Sequence, residues 1–226
     1  MRKIVWLKTF PSLDKGVIKG IALVCLADGI VGISYGSLAT GLGFELWVPL
    51  MLSLLVLAGA SEFLFIGIVA SGGSPFAAAA AGLLVNARHL PFGMAVKEVI
   101  ERSRFKLLGC HIMNDESVVF GISQPTLTKK REAYWLCGLG IAACWPLGVL
   151  IGGTIGSFIP DINAIGLDAV FPTILLALIV GSLKNLRTSI SACSGTLIAL
   201  ASVPLVPIGM PVLFSLLGLL IRKREK

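Results

Sequence analysis

Long apolar runs separated by short polar connections make up most of this sequence. A helix that crosses a membrane needs about 20 mainly apolar residues, and seven runs approach this length. An eighth run, 107–123, carries Asp115 and Glu116 in its middle, which indicates a re-entrant or amphipathic segment. The pattern predicts an all-α polytopic membrane protein with about seven transmembrane helices in a single membrane domain, 1–226. The seven runs cover residues 17–39, 46–70, 74–96, 134–158, 169–183, 188–203 and 205–221.

The composition excludes a soluble globular protein. Apolar residues make up 56% of the chain and charged residues 14%, with a mean hydropathy of +0.93. A soluble domain has about 25% charged residues, so this chain lacks the polar side chains to cover a surface facing water. The net charge of +7 comes mainly from Lys and Arg in short clusters between apolar runs, which favours membrane orientation over nucleic-acid binding.

These basic clusters predict the orientation of most of the chain. Residues 97–106, 129–131, 184–187 and 222–226 hold most of the Lys and Arg, whereas the connection 159–168 has none. Loops rich in Lys and Arg stay in the cytoplasm. We therefore expect these four segments and the C-terminus to be cytoplasmic, and 159–168 to lie outside.

The start of the chain gives conflicting signals. Counting three spans back from the cluster 97–106 places Met1 outside, whereas Arg2, Lys3, Lys8 and Lys15 favour the cytoplasm. Either this end departs from the rule or one of the first three segments is a re-entrant hairpin. No small-residue cleavage site follows the first apolar run, so we interpret it as a retained membrane segment rather than a signal peptide.

An internal repeat relates the two halves of the sequence. Residues 42–52 align without gaps on 165–175, which defines candidate repeat units 17–96 and 134–206, a linker 97–133 and a last span 205–221. A unit of three membrane segments followed by a non-spanning linker must be inverted when it repeats. Inverted repeats are a recurring plan of secondary transporters. Chance similarity among glycine-rich apolar segments is the alternative explanation.

Helix-breaking residues occur inside several apolar runs. We expect broken helices at three places, because backbone released at membrane depth is tolerated where protein or a cavity satisfies it. The expected breaks, which would line a site, are at Asp28-Gly29, at Gly59-Ala60-Ser61 and at Pro146. Glycines at GxxxG spacing, Gly32/Gly36 and Gly148/Gly152/Gly156, indicate close helix packing.

Several ionisable residues lie within the apolar runs. A charge at the centre of a membrane helix costs about 2.5–3.5 kcal/mol, so it usually faces a cavity or a partner. Glu62 lies deep in 46–70 and would exchange protons or bind a substrate amine, unless it is simply buried in its neutral form. Asp28 is a second buried carboxylate candidate.

The motif Asn86-Ala-Arg88-His89 lies near the end of the run 74–96. Arg88 suits two-pronged binding of an amino acid's carboxylate. It could instead pair with Glu62 or Asp115 for structure, or extend its guanidinium towards the membrane surface. His89 suits a proton relay, and a hydrogen-bonded structural histidine is the alternative.

A polar motif, Asn114-Asp115-Glu116-Ser117, interrupts the run 107–123. Its adjacent carboxylates could carry protons or cap the N-terminus of a half-helix. In an interfacial segment they would only be solvated. The five cysteines show no metal-ligand spacing, and no nucleophile–base pair or phosphate-binding loop occurs. The sequence therefore predicts neither an enzyme nor a cofactor.

Taken together, three motifs resemble the signature blocks of the AzlC-type large subunit of branched-chain amino acid exporters. They are residues 58–63, 86–89 and 114–116, and the likeness extends from about residue 20 to the end of the chain. The resemblance implies a bacterial inner-membrane exporter of leucine, isoleucine and valine, with methionine as a further candidate. It also implies a small AzlD-type membrane subunit as partner, and export driven by protons or by the membrane potential.

This chain departs from the family pattern at three positions. Glu62 stands where the family usually has Gln, Asn114 where it has Thr, and Asp28-Gly29 where it has Pro-Phe-Gly. The two additional carboxylates make a cationic or more polar amino acid the alternative substrate. A passive channel for small solutes is a further alternative.

Overall fold

The computed structural model describes residues 12–101, 103–156, 173, 176, 180, 182–207 and 210–220. All elements in these ranges are helical and none is a strand, which confirms the predicted all-α class. Two short 3₁₀ helices within the same ranges are Ser182–Lys184 and Ser215–Leu220. The α-helices are α1 (Lys15–Gly41), α2 (Trp47–Leu55), α3 (Gly59–Ala70), α4 (Pro75–Asn86), α5 (His89–Ala95), α6 (Lys97–Glu101), α7 (Lys106–His111), α8 (Asp115–Ile122), α9 (Leu127–Gly156), α10 (Leu186–Ser202) and α11 (Met210–Phe214).

The described residues form two compact units. The first contains residues up to Gly59 together with those from Ala87 to the end of α9. The second contains 60–86 and the described residues that follow α9. The first unit includes both 17–59 and 134–156, so its boundaries differ from the candidate repeat units, and the repeat stays a prediction. The connection 159–168, most of the run 169–183, residues 1–11 and the tail 221–226 lie outside the described residues.

Two helices of the first unit, α1 and α9, are long and apolar enough to cross a membrane. They have 27 and 30 residues, and each contains a strongly apolar stretch of 18 residues; no other helix in the described part of the chain is both as long and as apolar. At 1.5 Å per residue they extend about 40 and 45 Å, more than the hydrocarbon thickness of about 30 Å. They correspond to the predicted runs 17–39 and 134–158.

Glycines bring the backbones of α1 and α9 into direct contact. A Cβ atom on Gly36 would overlap the carbonyl oxygen of Val149, and one on Gly152 would overlap that of Ile33. Ser37 Oγ donates to the Gly152 carbonyl across the same interface, at 2.8 Å. The GxxxG glycines therefore serve close helix packing, as the sequence indicates.

The two helices run in the same direction. Near their N-terminal ends, Lys129 Nζ lies 3.1 Å from Asp14 Oδ2. Further along, Cys25 lies against Cys137, and near the C-terminal ends Ser37 lies against Gly152. Equivalent helices of an inverted repeat run in opposite directions through the membrane. The parallel pair does not support the inverted repeat, which stays a prediction because much of the second candidate unit lies outside the described residues.

Both long helices pass through residues that we expected to break them. α1 continues through Asp28-Gly29, and α9 continues through Pro146. The two predicted breaks are wrong because each residue weakens the helix only at its own position, and the cost is small enough for packing to offset. Gly29 costs α1 about 1 kcal/mol of helix propensity, and Gly148 of α9, which has no side chain, packs against the Gly29 carbonyl. Pro146 removes one donor, the one that would bind the Ala142 carbonyl.

The region 46–96 is interrupted instead. Its two predicted spans are each divided, the first into α2 and α3 and the second into α4 and α5. Between α2 and α3, Leu57 adopts a left-handed conformation with φ 51°, which a non-glycine residue rarely adopts. The break expected at Gly59-Ala60-Ser61 lies instead at 56–58, and the three predicted residues form the first turn of α3.

The second unit has its own apolar core. Ile68 of α3 and Ala78 and Ala81 of α4 are buried, and Val212 and Leu213 of α11 pack against them. α10 lies against the 3₁₀ helix Ser215–Leu220, where a Cβ on Gly218 would overlap the backbone of α10. The predicted span 205–221 is divided here between α11 and that 3₁₀ helix.

Candidate functional site

The helices α7 and α8 form a hairpin against the first half of α9. Tyr134 Oη donates to the Gly109 carbonyl of α7 at 2.6 Å. On α8, Gly121 faces the same Tyr134 side chain. The turn between α7 and α8 lies further along α9, because a Cβ on Gly138 would lie 2.8 Å from the Ile112 carbonyl. The segment 107–123 thus enters and leaves at one end of α9, which agrees with the predicted re-entrant segment.

The tip of the hairpin is a capped helix start. Asn114 Oδ1 accepts a hydrogen bond from the Ser117 N–H at 2.8 Å, and Ser117 Oγ accepts one from the Asn114 N–H at 3.0 Å. Asp115 and Glu116 occupy the first turn of α8, where the helix dipole favours negative charge. Asn114, rather than the adjacent carboxylates, is the residue that caps the helix.

Arg88 pairs with the hairpin tip. Its Nη1 lies 3.0 Å from Asp115 Oδ2, and the two side chains are 30% and 37% exposed. Of the interpretations open for Arg88, pairing with Asp115 is the one that the structure contains. The Arg88 Nε atom is buried and has no hydrogen-bond partner among the described residues. The guanidinium therefore keeps donor capacity for a further acceptor.

Asp28 brings a third carboxylate to this group from the middle of α1. Asp115 and Glu116 are both close enough to interact electrostatically with it. Its Oδ2 atom is buried without a hydrogen-bond partner in the described part of the protein. The polar cluster, defined here as Asp28, Arg88, Asp115 and Glu116, therefore holds three carboxyl groups and one guanidinium.

Glu116 is the member of the polar cluster whose carboxyl is affected by burial on a short helix. Glu116 is on α8, which has eight residues and does not cross a membrane. Burial is the largest influence on Glu116 and raises the pKa of its carboxyl, with Asp115 acting in the same direction and Arg88 against it. A raised pKa brings the protonation of Glu116 closer to neutral pH. The cluster thus contains a group suited to exchanging protons.

The other predicted residues lie elsewhere. In the second unit, Glu62 is 1% exposed in the first turn of α3. Beside it, Asn86 Nδ2 of α4 donates to Ser61 Oγ at 3.0 Å. His89 begins α5, and its ring packs edge-on against Phe92. Ala60 lies in the first turn of α3.

Two functional contacts could not be found in the sequence. The Nε2 atom of His111 lies 2.9 Å from the Leu54 carbonyl, which the end of α2 leaves without a helical donor. A carbonyl only accepts, so His111 donates from Nε2. The second contact is the hydrogen bond from the Tyr134 hydroxyl to the Gly109 carbonyl of α7. The two partners of each contact are far apart in sequence, so no local pattern indicates either contact.

Two half-helices meet at this histidine. α2 runs antiparallel to α9, because Leu46 lies against Gly153 whereas Gly59, which follows the break, lies against Trp145. The hairpin approaches from the opposite end of α9, and His111 joins it to the broken end of α2. Interrupted helices that meet near the middle of the membrane form the binding sites of many transporters.

The cysteines of this chain are separate thiols. All five cysteines are thiols, and Cys25 Sγ lies 3.8 Å from the Cys137 carbonyl, consistent with packing. No group of His, Cys, Asp and Glu in the described residues is arranged to hold a metal ion.

Comparison with known proteins places this chain among membrane transport proteins. It is 28% identical to the branched-chain amino acid transport protein AzlC of Bacillus subtilis over 198 residues, 84% of this chain and 77% of that protein. It is 24% identical to the inner membrane protein YgaZ of Escherichia coli over 193 residues, 81% of this chain and 78% of that protein. An uncharacterized membrane protein of Archaeoglobus fulgidus is 29% identical over 189 residues, 83% of each chain. No solved structure matches.

The family comparison covers the helices that build the polar cluster. The model of the AzlC protein family matches residues 23–159, which is more than half of the chain and contains all four cluster residues. The resemblance seen in the sequence motifs is thereby confirmed, and the chain belongs to the AzlC protein family.

Proposed function

We propose that this protein is a secondary transporter that exports the branched-chain amino acids valine, leucine and isoleucine, with methionine as a further candidate substrate. The observation that carries the proposal is the polar cluster at mid-length of α1, where Arg88 Nε and Asp28 Oδ2 are buried and have no hydrogen-bond partner within the described ranges. An amino acid zwitterion needs one cationic and one anionic partner, and the cluster offers both. The printed name of the Bacillus subtilis relative supports the branched-chain substrate.

In this mechanism Arg88 holds the substrate carboxylate. Its Nη1 is engaged by Asp115 at 3.0 Å, which orients the guanidinium while Nε and the remaining N–H groups face the incoming acceptor. Asp28 receives the ammonium group. The substrate carboxylate and ammonium exchange water for Arg88 and Asp28. A substrate that lacks either group leaves one of these side chains unpaired and therefore binds poorly.

Protons couple transport through Glu116. Since burial raises the pKa of its carboxyl, Glu116 is protonated at a higher pH than an exposed glutamate, and its charge appears as the pH rises through the raised pKa. Protonation would weaken the hold of the cluster on an ammonium group, which gives alternate loading of proton and substrate. Glu62 is the second carboxylate assigned to this coupling, with His89 as relay. A small AzlD-type membrane subunit completes the transporter.

The excess of carboxylates favours one second candidate. The cluster holds three carboxyl groups and one guanidinium, and Glu62, which is 1% exposed, adds a further carboxyl elsewhere in the chain. A cationic amino acid such as lysine would balance this excess better than a zwitterion does. The alternative function is therefore export of a cationic amino acid.

Exchange in proteoliposomes tests the proposal. Vesicles that contain the chain, with and without the small subunit, are loaded with unlabelled valine and given labelled valine, leucine or lysine. We expect saturable exchange of valine and leucine. Exchange of lysine alone would establish the second candidate, whereas flux that does not saturate would indicate a channel and contradict both.

Variants of Arg88 test its role directly. Arg88→Ala leaves Asp115 unpaired and removes the carboxylate site, so exchange should fall at least about tenfold. Arg88→Lys keeps the charge without the planar fork and should recover only part of the rate. Arg104→Ala is the matched control, because Arg104 is an exposed loop residue. Unchanged exchange in Arg88→Ala would remove Arg88 from the site.

A further inference from the structure

A groove of about 640 Å³ lies between α10 and the 3₁₀ helix Ser215–Leu220 in the second unit. A Cβ on Gly195 would lie 2.5 Å from the Ser215 carbonyl. One on Gly218 would lie 2.5 Å from the carbonyl of Ser191, which precedes Gly195. The two helices are therefore antiparallel, so that the start of α10 and the end of the 3₁₀ helix lie at the same end of the groove.

This end of the groove is basic. Arg187 lines the groove from the first turn of α10 and is exposed. The basic segment 184–187 includes the start of α10, and 222–226 follows the 3₁₀ helix in the sequence; both segments are predicted to be cytoplasmic. Among the described residues of the second unit, Glu62 is the one acidic residue, and it is buried. The groove therefore opens where an anion is attracted from the cytoplasmic side.

Two hydroxyl groups beside Arg187 are available to a ligand. Thr188 and Ser191 are three residues apart, so they lie on one face of α10, and both line the groove. Neither hydroxyl makes a hydrogen bond within the described ranges. The other hydroxyl side chains of α10 each donate to a backbone carbonyl, namely Ser189, Ser194, Thr196 and Ser202. The guanidinium and the two hydroxyls therefore form a set of donors on one side of the groove.

The N-terminus of α10 is not itself the partner of the anion. Asn185 Oδ1 caps this helix by accepting hydrogen bonds from the N–H groups of Arg187 and Thr188, at 3.0 and 3.4 Å. A ligand in the groove therefore meets side-chain donors, which single substitutions can remove.

The 3₁₀ helix makes the other wall of the groove apolar. Leu216 and Leu219 line this wall and are 39% and 65% exposed. They are three residues apart, and side chains at this spacing lie one above the other on a 3₁₀ helix. A ligand that fills the groove therefore combines an anionic group with an apolar chain.

We propose that this groove binds an anionic phospholipid of the cytoplasmic leaflet. The phosphate accepts hydrogen bonds from Arg187, Thr188 and Ser191. An acyl chain lies along Leu216 and Leu219. Arginine suits this role because its planar guanidinium donates two parallel hydrogen bonds to a phosphate, and basic pockets between helices on the cytoplasmic side bind anionic lipid headgroups. The groove shares no residue with the polar cluster of the first unit, so lipid binding there is independent of the proposed function.

Native mass spectrometry of the full chain in detergent tests this site, with phosphatidylglycerol and phosphatidylcholine of identical acyl chains as probes. We expect saturable binding of phosphatidylglycerol, about fivefold tighter than that of phosphatidylcholine, which has no net charge. Arg187→Ala should weaken phosphatidylglycerol binding about tenfold, because it removes a charged hydrogen-bond donor, and Arg187→Lys should restore part of it. Lys184→Ala is the matched control. It removes the same charge from the same segment outside the groove and should weaken binding by about twofold at most.

A pair of serine variants separates the groove from the rest of α10. Ser191→Ala removes a hydroxyl that lines the groove and should weaken phosphatidylglycerol binding about threefold. Ser189→Ala removes one that donates to the Leu183 carbonyl instead and should leave binding unchanged. Unchanged binding in Arg187→Ala or in Ser191→Ala would overturn the inference, and so would equal binding of the two lipids. Displacement of the lipid by inorganic phosphate would also overturn it, because the groove would then be a site for free anions.

Discussion

The α1–α9 pair and the region 46–96 respond differently to residues that interrupt helices. α1 and α9 contain Asp28-Gly29 and Pro146 and remain continuous. The region 46–96 has a helix break at Leu57, a residue that does not usually break helices. In the first case a neighbouring helix packs along the glycines and holds the backbone. In the second, the tertiary contacts of His111 and Trp145 stabilise the broken ends. Whether a helix breaks in this protein therefore depends on its neighbours more than on its local sequence.

The largest effect is expected in cysteine labelling, because one end of α1 should be fully accessible from outside the cell and the other end not at all. The parallel pair places the start of α1 beside Lys129 in a basic segment, which belongs in the cytoplasm. With Cys110 and Cys193 replaced by serine, Leu42→Cys should react with an impermeant maleimide added to intact cells. Gly16→Cys should react only after permeabilisation. The opposite result would place the start of α1, and with it the start of the parallel helix α9, outside the cytoplasm, against the rule for basic segments.

That orientation would also resolve the conflict about the first three segments. If α1 and α9 begin on the same side, the chain between them crosses the membrane an odd number of times. The divided helices of 46–96 are shorter than the roughly 20 residues that one span needs. We therefore favour the alternative in which one of the first three segments is re-entrant, with the basic residues at the start of the chain in the cytoplasm.

The next largest effect is expected at Gly152. A methyl group there would overlap the carbonyl and Cα of Ile33, and backbone cannot move aside as a flexible side chain can. Gly152→Ala should destabilise the folded protein by about 2 kcal/mol or more, measured by thermal unfolding in detergent. Gly16→Ala should change stability by less than about 0.5 kcal/mol. Equal melting of the two variants would mean that α1 and α9 do not touch at these glycines.

A smaller effect is expected at the contact that holds the interrupted region. His111→Ala removes the donor to the Leu54 carbonyl and should accelerate amide exchange in 112–122 about fivefold, which corresponds to a net hydrogen bond of about 1 kcal/mol. His111→Gln, whose amide also donates, should restore most of the protection. If alanine and glutamine behave alike, the histidine ring packs against α2 without holding it through a hydrogen bond.

The sequence indicated which charged residues belong to the candidate site, but it did not indicate which partners they take. Buried ionisable groups are costly, so Asp28, Arg88 and Glu116 stand out in an apolar chain. Asp115 and Glu116 also marked 107–123 as a re-entrant or amphipathic segment, because two carboxylates are costly at the centre of an ordinary span. Which of the alternative partners Arg88 takes depends on how the chain folds back, and only the structure supplies that.

Helix continuity could not be predicted for a different reason. The costs of Gly29 and Pro146 are about 1 and 3 kcal/mol in an isolated helix, and a close helix interface can offset them. The parallel direction of α1 and α9 is likewise a property of pairs of residues that are more than 100 positions apart. The predicted sequence repeat would relate two segments to each other, but the direction in which they pack is visible only in the structure.

The smallest effect distinguishes glycine packing from hydrogen bonding as the source of stability in the α1–α9 pair. Ser37 Oγ donates to the Gly152 carbonyl at 2.8 Å, and hydrogen bonds between membrane helices contribute about 0.6 kcal/mol on average. The same carbonyl can also accept from its own helix, so Ser37→Ala leaves no acceptor unpaired. We expect a loss of about 0.6 kcal/mol in the thermal unfolding assay, well below that of Gly152→Ala. If Ser37→Ala were as damaging as Gly152→Ala, the hydroxyl rather than the backbone contact would hold the two helices together.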